Sequence, residues 1–179
     1  DIRSRLGKRG HTFASQSDGE VIPHLWQELG SQFVNQLNGM FAIALHDMDA
    51  GEVVLARDRV GIKPLFWTVQ NGRLIFGSEL KAILASGEIE PRLDFDGLGQ
   101  LLAWEYVPAP RTLLRGVCKL EPGQMLRFDL TTGRFDISSW WDPATILRDR
   151  VLGRRQERTS TIALADEIDS LISQAARRQ

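Results

Sequence analysis

The chain has 179 residues, of which 42% are hydrophobic and 25% charged, a composition that suits one globular domain or one domain plus part of another. Its formal net charge of -1 gives no global attraction to nucleic acid or to an anionic membrane, so neither is expected as a partner. It contains no run of about 18 apolar residues, so no membrane-spanning helix is expected. The charged N-terminus, DIRSRLGKRG, lacks the apolar region of a signal peptide and an initiator Met, which predicts a start inside a larger protein.

Cysteine and histidine give no sign of a reactive or metal centre. The single cysteine, Cys118, cannot form an intrachain disulfide, which favours a reducing, cytoplasmic location. We expect Cys118 to act as a small, partly buried hydrophobic residue, because no histidine lies near it in sequence. The three histidines, His11, His24 and His46, are scattered without metal-ligand spacing, so no metal site is expected.

Helices are predicted at the start of the chain. Residues 1–9 have a mixed helical face that Gly10 can terminate, and residues 11–15 are expected to form a short edge strand around Phe13. Residues 31–37 predict a second short helix with its apolar residues turned inward.

A longer helix is predicted between these segments, and Asp18 lies at its start. Ser17 and Glu20 have the spacing of a capping box, but Pro23 would then remove an internal hydrogen bond, so the regular helix should begin nearer residues 19–20. Gly30 is expected to end it. A carboxylate at a helix start is stabilised by the dipole and by free backbone N–H groups. Asp18 is therefore either a helix-start residue or a group that receives the ammonium of a small ligand.

Residues 37–81 predict a succession of β-strands. Residues 40–45 are continuously apolar, so this strand is expected to be covered on both faces. Residues 52–57 form the return strand, and residues 65–69 pair with residues 73–77 through Asn71-Gly72, which suits a type I′ turn. Sequential hairpins imply antiparallel sheets, and double-sided burial implies layers, so the fold class is α+β, a layered antiparallel sandwich with flanking helices.

Charged residues beside these strands favour structural roles. Arg57-Asp58-Arg59 are expected to form local ion pairs that fix the turn before Pro64. Ser78 and Glu79 can cap the next helix, and Glu79 can pair with Lys81. No glycine-rich phosphate loop occurs.

The second half of the chain alternates short elements and turns. Helices are predicted over residues 79–85 and 94–104, and β segments over residues 112–120, 124–130 and 134–141. After Asp142, an arginine-rich stretch predicts a solvated linker. A final helix follows, with an apolar face and nothing in the chain to bury it; that face consists of Ile162, Ala165, Ile168, Leu171, Ile172 and Ala175.

Several long motifs in order resemble one family. They are SDGEVIPHLW, LNGMFAIALHDMDAGEVVLARDRVGIKPLFW, GRLIFGSELKAILAS, YVPAPRTLLRGVCKLEPGQ and the final WWD. The set resembles the glutamine amidotransferase domain of glutamine-hydrolysing asparagine synthetases, the class II type with an N-terminal nucleophile. The likeness covers roughly residues 1–142. It implies an αββα fold of the N-terminal-nucleophile hydrolase type, incomplete here.

The resemblance implies a division of labour between this chain and sequence outside it. Asp18 matches the acidic residue that binds the α-amino group of glutamine. The nucleophilic cysteine and the Asn-Gly oxyanion segment are expected before Asp1, so the chain is expected to hold no catalytic residue and to be inactive alone. ATP and Mg²⁺ are expected as cofactors of a synthetase domain that amidates aspartate.

The same resemblance gives the expected domains and partners. Residues 1–142 form the amidotransferase domain without its N-terminal segment, residues 143–160 the linker, and residues 161–179 the first helix of the synthetase domain. Glutamine and the chain's own synthetase domain are the expected partners. Strands absent from the start should leave an open sheet edge, which favours a homodimer or disordered ends.

Two alternatives remain open on the sequence. The parent protein can be a related ATP-dependent synthetase that forms another amide or a lactam, because residues that select the acceptor lie outside the chain. It can also be a non-catalytic pseudo-amidotransferase module used for interaction, although the unburied C-terminal helix face counts against that.

Overall fold

The computed structural model of the protein describes residues 1–145, 147–148 and 160–177. The chain divides into two units, Asp1–Asp142 and Pro143–Gln179. The helices of the first unit are α1 (Ile2–Lys8), α2 (Val21–Leu29), α3 (Leu80–Ala85) and α4 (Phe95–Trp104), with 3-10 turns at Asp18–Glu20 and Gly30–Gln36. Its strands are β1 (Ala42–Asp47), β2 (Glu52–Arg57), β3 (Phe66–Gln70), β4 (Arg73–Gly77), β5 (Cys118–Lys119), β6 (Gln124–Asp129) and β7 (Phe135–Ser139). The second unit contains α5 (Thr161–Arg177).

The strands form two antiparallel sheets. The four-stranded sheet has the order β1-β2-β6-β7 and the three-stranded sheet the order β4-β3-β5. Consecutive strands pair within each of the first two hairpins, whereas β2 and β3 belong to different sheets. The prediction of a layered, antiparallel α+β fold is therefore confirmed.

Two hydrophobic clusters define the layers. In the first, α1, α2 and the Gly30–Gln36 turn pack against one face of the four-stranded sheet, through Leu6, Leu25 and Phe33 among others. In the second, the opposite face of that sheet contributes Leu55 and packs against the three-stranded sheet. Helix α3 lies against β3 and β4.

The strand covered on both faces is β2, not β1, so the prediction for residues 40–45 is wrong. Val54 and Leu55 of β2 are fully buried and belong to different clusters, because the helical layer covers one face of this inner strand and the three-stranded sheet covers the other. In the edge strand β1, only alternate side chains are buried, and Ala44 and His46 are exposed.

Local signals at several positions are confirmed. Gly10 and Gly30 follow their helices with positive φ of 95° and 52°. Pro23 is the third residue of α2, where its missing N–H costs no intrahelical bond. Asn71 and Gly72 join β3 to β4 with φ of 50° and 72°, as a type I′ turn requires.

Two predicted strands are absent or shorter. Residues 11–15 form no strand in the structure, and within residues 112–120 only Cys118 and Lys119 are in a strand. Instead of a sheet ladder, the Glu20 side chain accepts the backbone N–H groups of Ala14 and Ser15, and the Arg3 side chain donates to the carbonyls of Ser15 and Ser17.

Apolar side chains are exposed on both α4 and α5. Phe95 and Leu102 of α4 are each 78% exposed. On α5 the predicted apolar face is present and uncovered, with Ile168 and Leu171 about half exposed. The predicted linker falls largely on residues 149–159, outside the described residues. No helix among the residues that the structure describes is long and apolar enough to cross a membrane.

Candidate functional site

A cavity of about 800 Å³ lies where the start of α1 meets the turn before α2 and the segment leading into β1. Apolar walls come from α2 and from residues 40–43. Its polar and charged lining residues are Asp1, Arg3, Gln16, Asp18, Asn38, Lys63 and Ser78. This combination of apolar walls and a few polar groups is typical of a small-molecule site.

Asp18 is the first residue of the Asp18–Glu20 turn and lines this cavity. Its backbone carbonyl accepts a hydrogen bond from the Val21 N–H, while its carboxylate is exposed. Within the described part of the chain, neither the Asp18 carboxylate nor the Lys63 ammonium has a hydrogen-bond or ion-pair partner. The Asp18 carboxylate and the Lys63 ammonium are thus two unpaired groups of opposite sign that line the cavity.

The predicted capping box at this turn is wrong. Ser17 precedes the turn in an extended conformation, but its side chain makes no capping hydrogen bond. The Glu20 carboxylate reaches back further, to the backbone N–H groups of Ala14 and Ser15 at 2.5 and 3.0 Å. The residues of the motif are present, but their hydrogen bonds tie the turn to the preceding loop.

Asp58 fixes the backbone of two residues that line the cavity. Its side chain is 1% exposed and accepts hydrogen bonds from four backbone N–H groups, those of Phe41, Val60, Ile62 and Lys63, at 3.0 to 3.3 Å. Phe41 and Lys63 both line the cavity. Burial raises the pKa of Asp58, but these four hydrogen bonds outweigh it and hold the pKa below the ordinary value of 3.8.

The two arginines that flank Asp58 also bind backbone groups. The Arg57 guanidinium donates to the carbonyls of Gly61, Lys63 and Leu120 at 2.5 to 2.8 Å. Arg59 donates to the Leu37 carbonyl at 2.7 Å. The turn is thus fixed as predicted, but by charge-to-backbone hydrogen bonds, so the prediction of local ion pairs is wrong.

The structure brings together two histidines that are distant in sequence. The Nδ1 atoms of His11 and His24 lie 3.0 Å apart, and Nε2 of His11 lies 3.0 Å from a carboxylate oxygen of Glu28. Glu28 also pairs with Arg9 at 2.6 Å. No group of three or more His, Cys, Asp or Glu side chains that could hold a metal occurs among the described residues.

Comparison with known proteins identifies the family. The sequence profile described as "Glutamine amidotransferase domain" matches residues 1–141. The chain belongs to this family. It is 39% identical over 129 residues to asparagine synthetase [glutamine-hydrolyzing] 3 of Bacillus subtilis, a match that covers 72% of this chain and 21% of that protein. Asparagine synthetase [glutamine-hydrolyzing] 2 of the same organism is 35% identical over 142 residues, covering 76% of this chain and 19% of the relative.

A solved structure supports the amidotransferase fold. The allosteric regulatory enzyme of purine biosynthesis superposes with a TM-score of 0.54 at 19% identity, over 78% of this chain and 25% of that one. The amidotransferase domain thus shares the layered antiparallel fold of that enzyme. The chain spans about a fifth of the length of the curated relatives it matches.

Cys118, the one cysteine of this amidotransferase domain, is partly buried in β5. Burial raises the pKa of its thiol, which opposes formation of the reactive thiolate. The sequence-based expectation of a small, partly buried residue agrees with this position.

Sequence reasoning singled out Asp18 but missed the groups around it. One sequence signal could have found Asp58. An aspartate followed by a glycine and a proline favours a turn in which its carboxylate accepts the backbone N–H two residues on, here that of Val60. Nothing in the pattern of α1 indicates that Arg3 reaches the Asp18 loop. Ser78, predicted as a helix cap, lines the cavity, while Glu79 occupies the cap position of α3 and pairs with Lys81 at 2.7 Å.

Proposed function

We propose that this amidotransferase domain binds L-glutamine in the cavity beside Asp18, and that the complete protein is a glutamine-hydrolysing asparagine synthetase. The observation that carries the proposal is the unpaired Asp18 carboxylate in a cavity of a glutamine amidotransferase domain. A carboxylate there attracts the α-ammonium group of the substrate and can accept charge-assisted hydrogen bonds from it.

The proposed chemistry requires groups beyond this chain. The thiol of an N-terminal cysteine attacks the side-chain amide carbon of glutamine, ammonia leaves, and water releases glutamate. An Asn side chain and a Gly backbone N–H stabilise the oxyanion. A linked synthetase domain would supply ATP- and Mg²⁺-dependent activation of the aspartate side-chain carboxylate, with pyrophosphate as the leaving group, and ammonia would then displace AMP to give asparagine.

The role of this chain's residues in that scheme is recognition. Asp18 holds the ammonium end of the substrate, and the rigid Asp58 loop fixes the wall formed by Phe41 and Lys63. Because this wall is already ordered, less conformational entropy of the protein is lost when a small ligand binds.

Kinetics of the complete protein with two nitrogen donors test the proposal. Asp18→Asn should raise KM for glutamine, because the amide cannot balance the ammonium charge, and should leave synthesis from free ammonia nearly unchanged. Equal losses with both donors would show that Asp18 only supports the helix start. If the product is asparagine, the acceptor is aspartate. Any other amide product would contradict the assignment of aspartate as the acceptor.

A further inference from the structure

A single guanidinium, that of Arg3, ties α1 to the loop that precedes Asp18. Its Nη1 atom donates to the Ser15 carbonyl at 2.8 Å and its Nη2 atom to the Ser17 carbonyl at 2.5 Å. The same guanidinium lies over the ring of Phe13, with its central carbon 4.3 Å from the ring centroid. One side chain thus binds three residues of the loop.

Glu20 holds the loop from its other end. Its carboxylate accepts the Ala14 N–H at 2.5 Å, the Ser15 N–H at 3.0 Å and the Ser15 hydroxyl at 2.8 Å, and lies 3.5 Å from Arg3 Nη2. The pKa of Glu20 is lowered, first by the hydrogen bond from Ala14, so the carboxylate is charged at neutral pH. The side chains of Arg3 and Glu20 are only 24% and 19% exposed, so both are largely enclosed by the loop they bind.

The geometry of the peptide bond connects this network to Asp18. The Ser17 carbonyl that Arg3 binds belongs to the same planar peptide unit as the backbone nitrogen of Asp18. Fixing that carbonyl therefore fixes the direction in which the chain enters Asp18. Glu20 lies two residues after Asp18 in the same 3-10 turn, so its contacts fix the direction of the chain after Asp18.

We propose that Arg3 and Glu20 are positioning residues that orient Asp18 toward the ammonium group of the amino-acid substrate. The inference rests on the proposed function, since it assigns the network a purpose at that site. Arginine suits this position better than lysine, because its planar fork presents two nitrogen atoms to the two carbonyls, whereas a lysine presents one. Neither residue contacts the substrate in this scheme.

Steady-state kinetics of the complete protein test the proposal. Arg3→Gln and Glu20→Gln should each raise KM for glutamine about 10- to 100-fold, because small displacements of a binding group have effects of that size. Arg3→Lys should fall between Arg3→Gln and the unaltered protein. Ammonia-dependent synthesis should not change. Arg5→Gln is the matched control, because Arg5 lies on the same helix but bonds to Gln36 at 2.9 Å, away from the loop, and it should leave KM unchanged.

A double-substitution cycle separates this inference from the proposed function. In an Asp18→Asn background, Arg3→Gln should change KM less than about twofold, because residues that act through one group are not additive. A full effect of Arg3→Gln in that background would overturn the positioning role. If Asp18→Asn raises KM and Arg3→Gln does not, only this inference fails. If Asp18→Asn leaves KM unchanged, the proposed function fails and this inference with it.

Amide hydrogen exchange gives a readout that needs no catalysis. In Arg3→Gln, the Ala14 and Ser15 amides should exchange faster, while amides of β2 keep their protection. Unchanged exchange at Ala14 and Ser15 would show that Arg3 does not hold the loop, and this would overturn the proposal irrespective of the kinetics.

Discussion

Replacing Asp58 with Asn tests whether one buried carboxylate organises the wall of the cavity. Oδ1 of Asp58 accepts the N–H groups of Val60 and Ile62, and Oδ2 accepts those of Phe41 and Lys63. An asparagine side chain offers one oxygen and one NH₂ group. Whichever way the amide turns, two backbone donors lose their acceptor and face a donor instead.

The expected loss follows from those two hydrogen bonds. At about 1.5–3 kcal/mol for each charge-assisted hydrogen bond, Asp58→Asn should lower the free energy of unfolding by about 3–6 kcal/mol. For comparison, the total free energy of unfolding of a typical protein is about 5–15 kcal/mol, so this loss would be a large part of it. Asp49→Asn, in the exposed turn after β1, is the matched control and should change stability by less than about 0.5 kcal/mol.

The pH dependence gives a second signature. The folded-state pKa of Asp58 lies below its unfolded value, so its stabilising contribution is present above about pH 4 and is lost as pH falls through the folded pKa. The stability difference between the unaltered chain and Asp58→Asn should therefore shrink on acidification below pH 4. Urea denaturation of the 179-residue chain at several pH values measures it. Two results would refute the reasoning: a difference in free energy of unfolding under about 1 kcal/mol at pH 7, or a difference at pH 3 that is as large as at pH 7.

Three further predictions use the same chain. Gly61→Ala should lower the stability measured in urea by about 2–3 kcal/mol, because φ is +68° and a Cβ would lie 2.8 Å from Pro122 Cγ. Gly72 also has a positive φ, but no atom lies within 4 Å of the added Cβ, so Gly72→Ala should cost about 1 kcal/mol. Equal losses would show that crowding at Gly61 does not matter. Arg127→Gln should cost about 1–2 kcal/mol, because the 8%-exposed Glu52 loses two hydrogen bonds of 2.8 and 2.9 Å, and an unchanged denaturation midpoint would contradict this. The 179-residue chain should not hydrolyse glutamine, because its one thiol is Cys118, so any ammonia release above the buffer rate would disprove that expectation.

Local sequence signals predicted the elements whose causes are local. The Asn71-Gly72 turn follows from positive φ at adjacent residues, and the end of α2 follows from Gly30. The layered antiparallel architecture followed from the succession of hairpins. These features depend on a few residues that are close in sequence.

Features that depend on distant pairing were not predictable in the same way. Strand β2 is an inner strand because β6, about 70 residues later, pairs beside it, and its two faces are covered by the helical layer and by the three-stranded sheet. An apolar run such as residues 40–45 carries no information about which strand will lie at the edge. Likewise, the contacts of Arg3 with Ser15 and Ser17 depend on how α1 packs, which no local pattern specifies. The motif singles out Asp18, whereas only the structure shows the contacts of Arg3 and Glu20 with the loop that precedes it.

Binding of glutamine and of glutaramate, its analogue without the α-amino group, tests the account most directly. In NMR titrations of the 179-residue chain at millimolar ligand, glutamine should shift the amides of cavity residues such as Gly19 and Gly39 and bind more tightly than glutaramate. Asp18→Asn should remove that preference, whereas Asp49→Asn should keep it. Equal affinity for the two ligands in the unaltered chain, or a preference that survives Asp18→Asn, would contradict the assignment of Asp18 to the ammonium group.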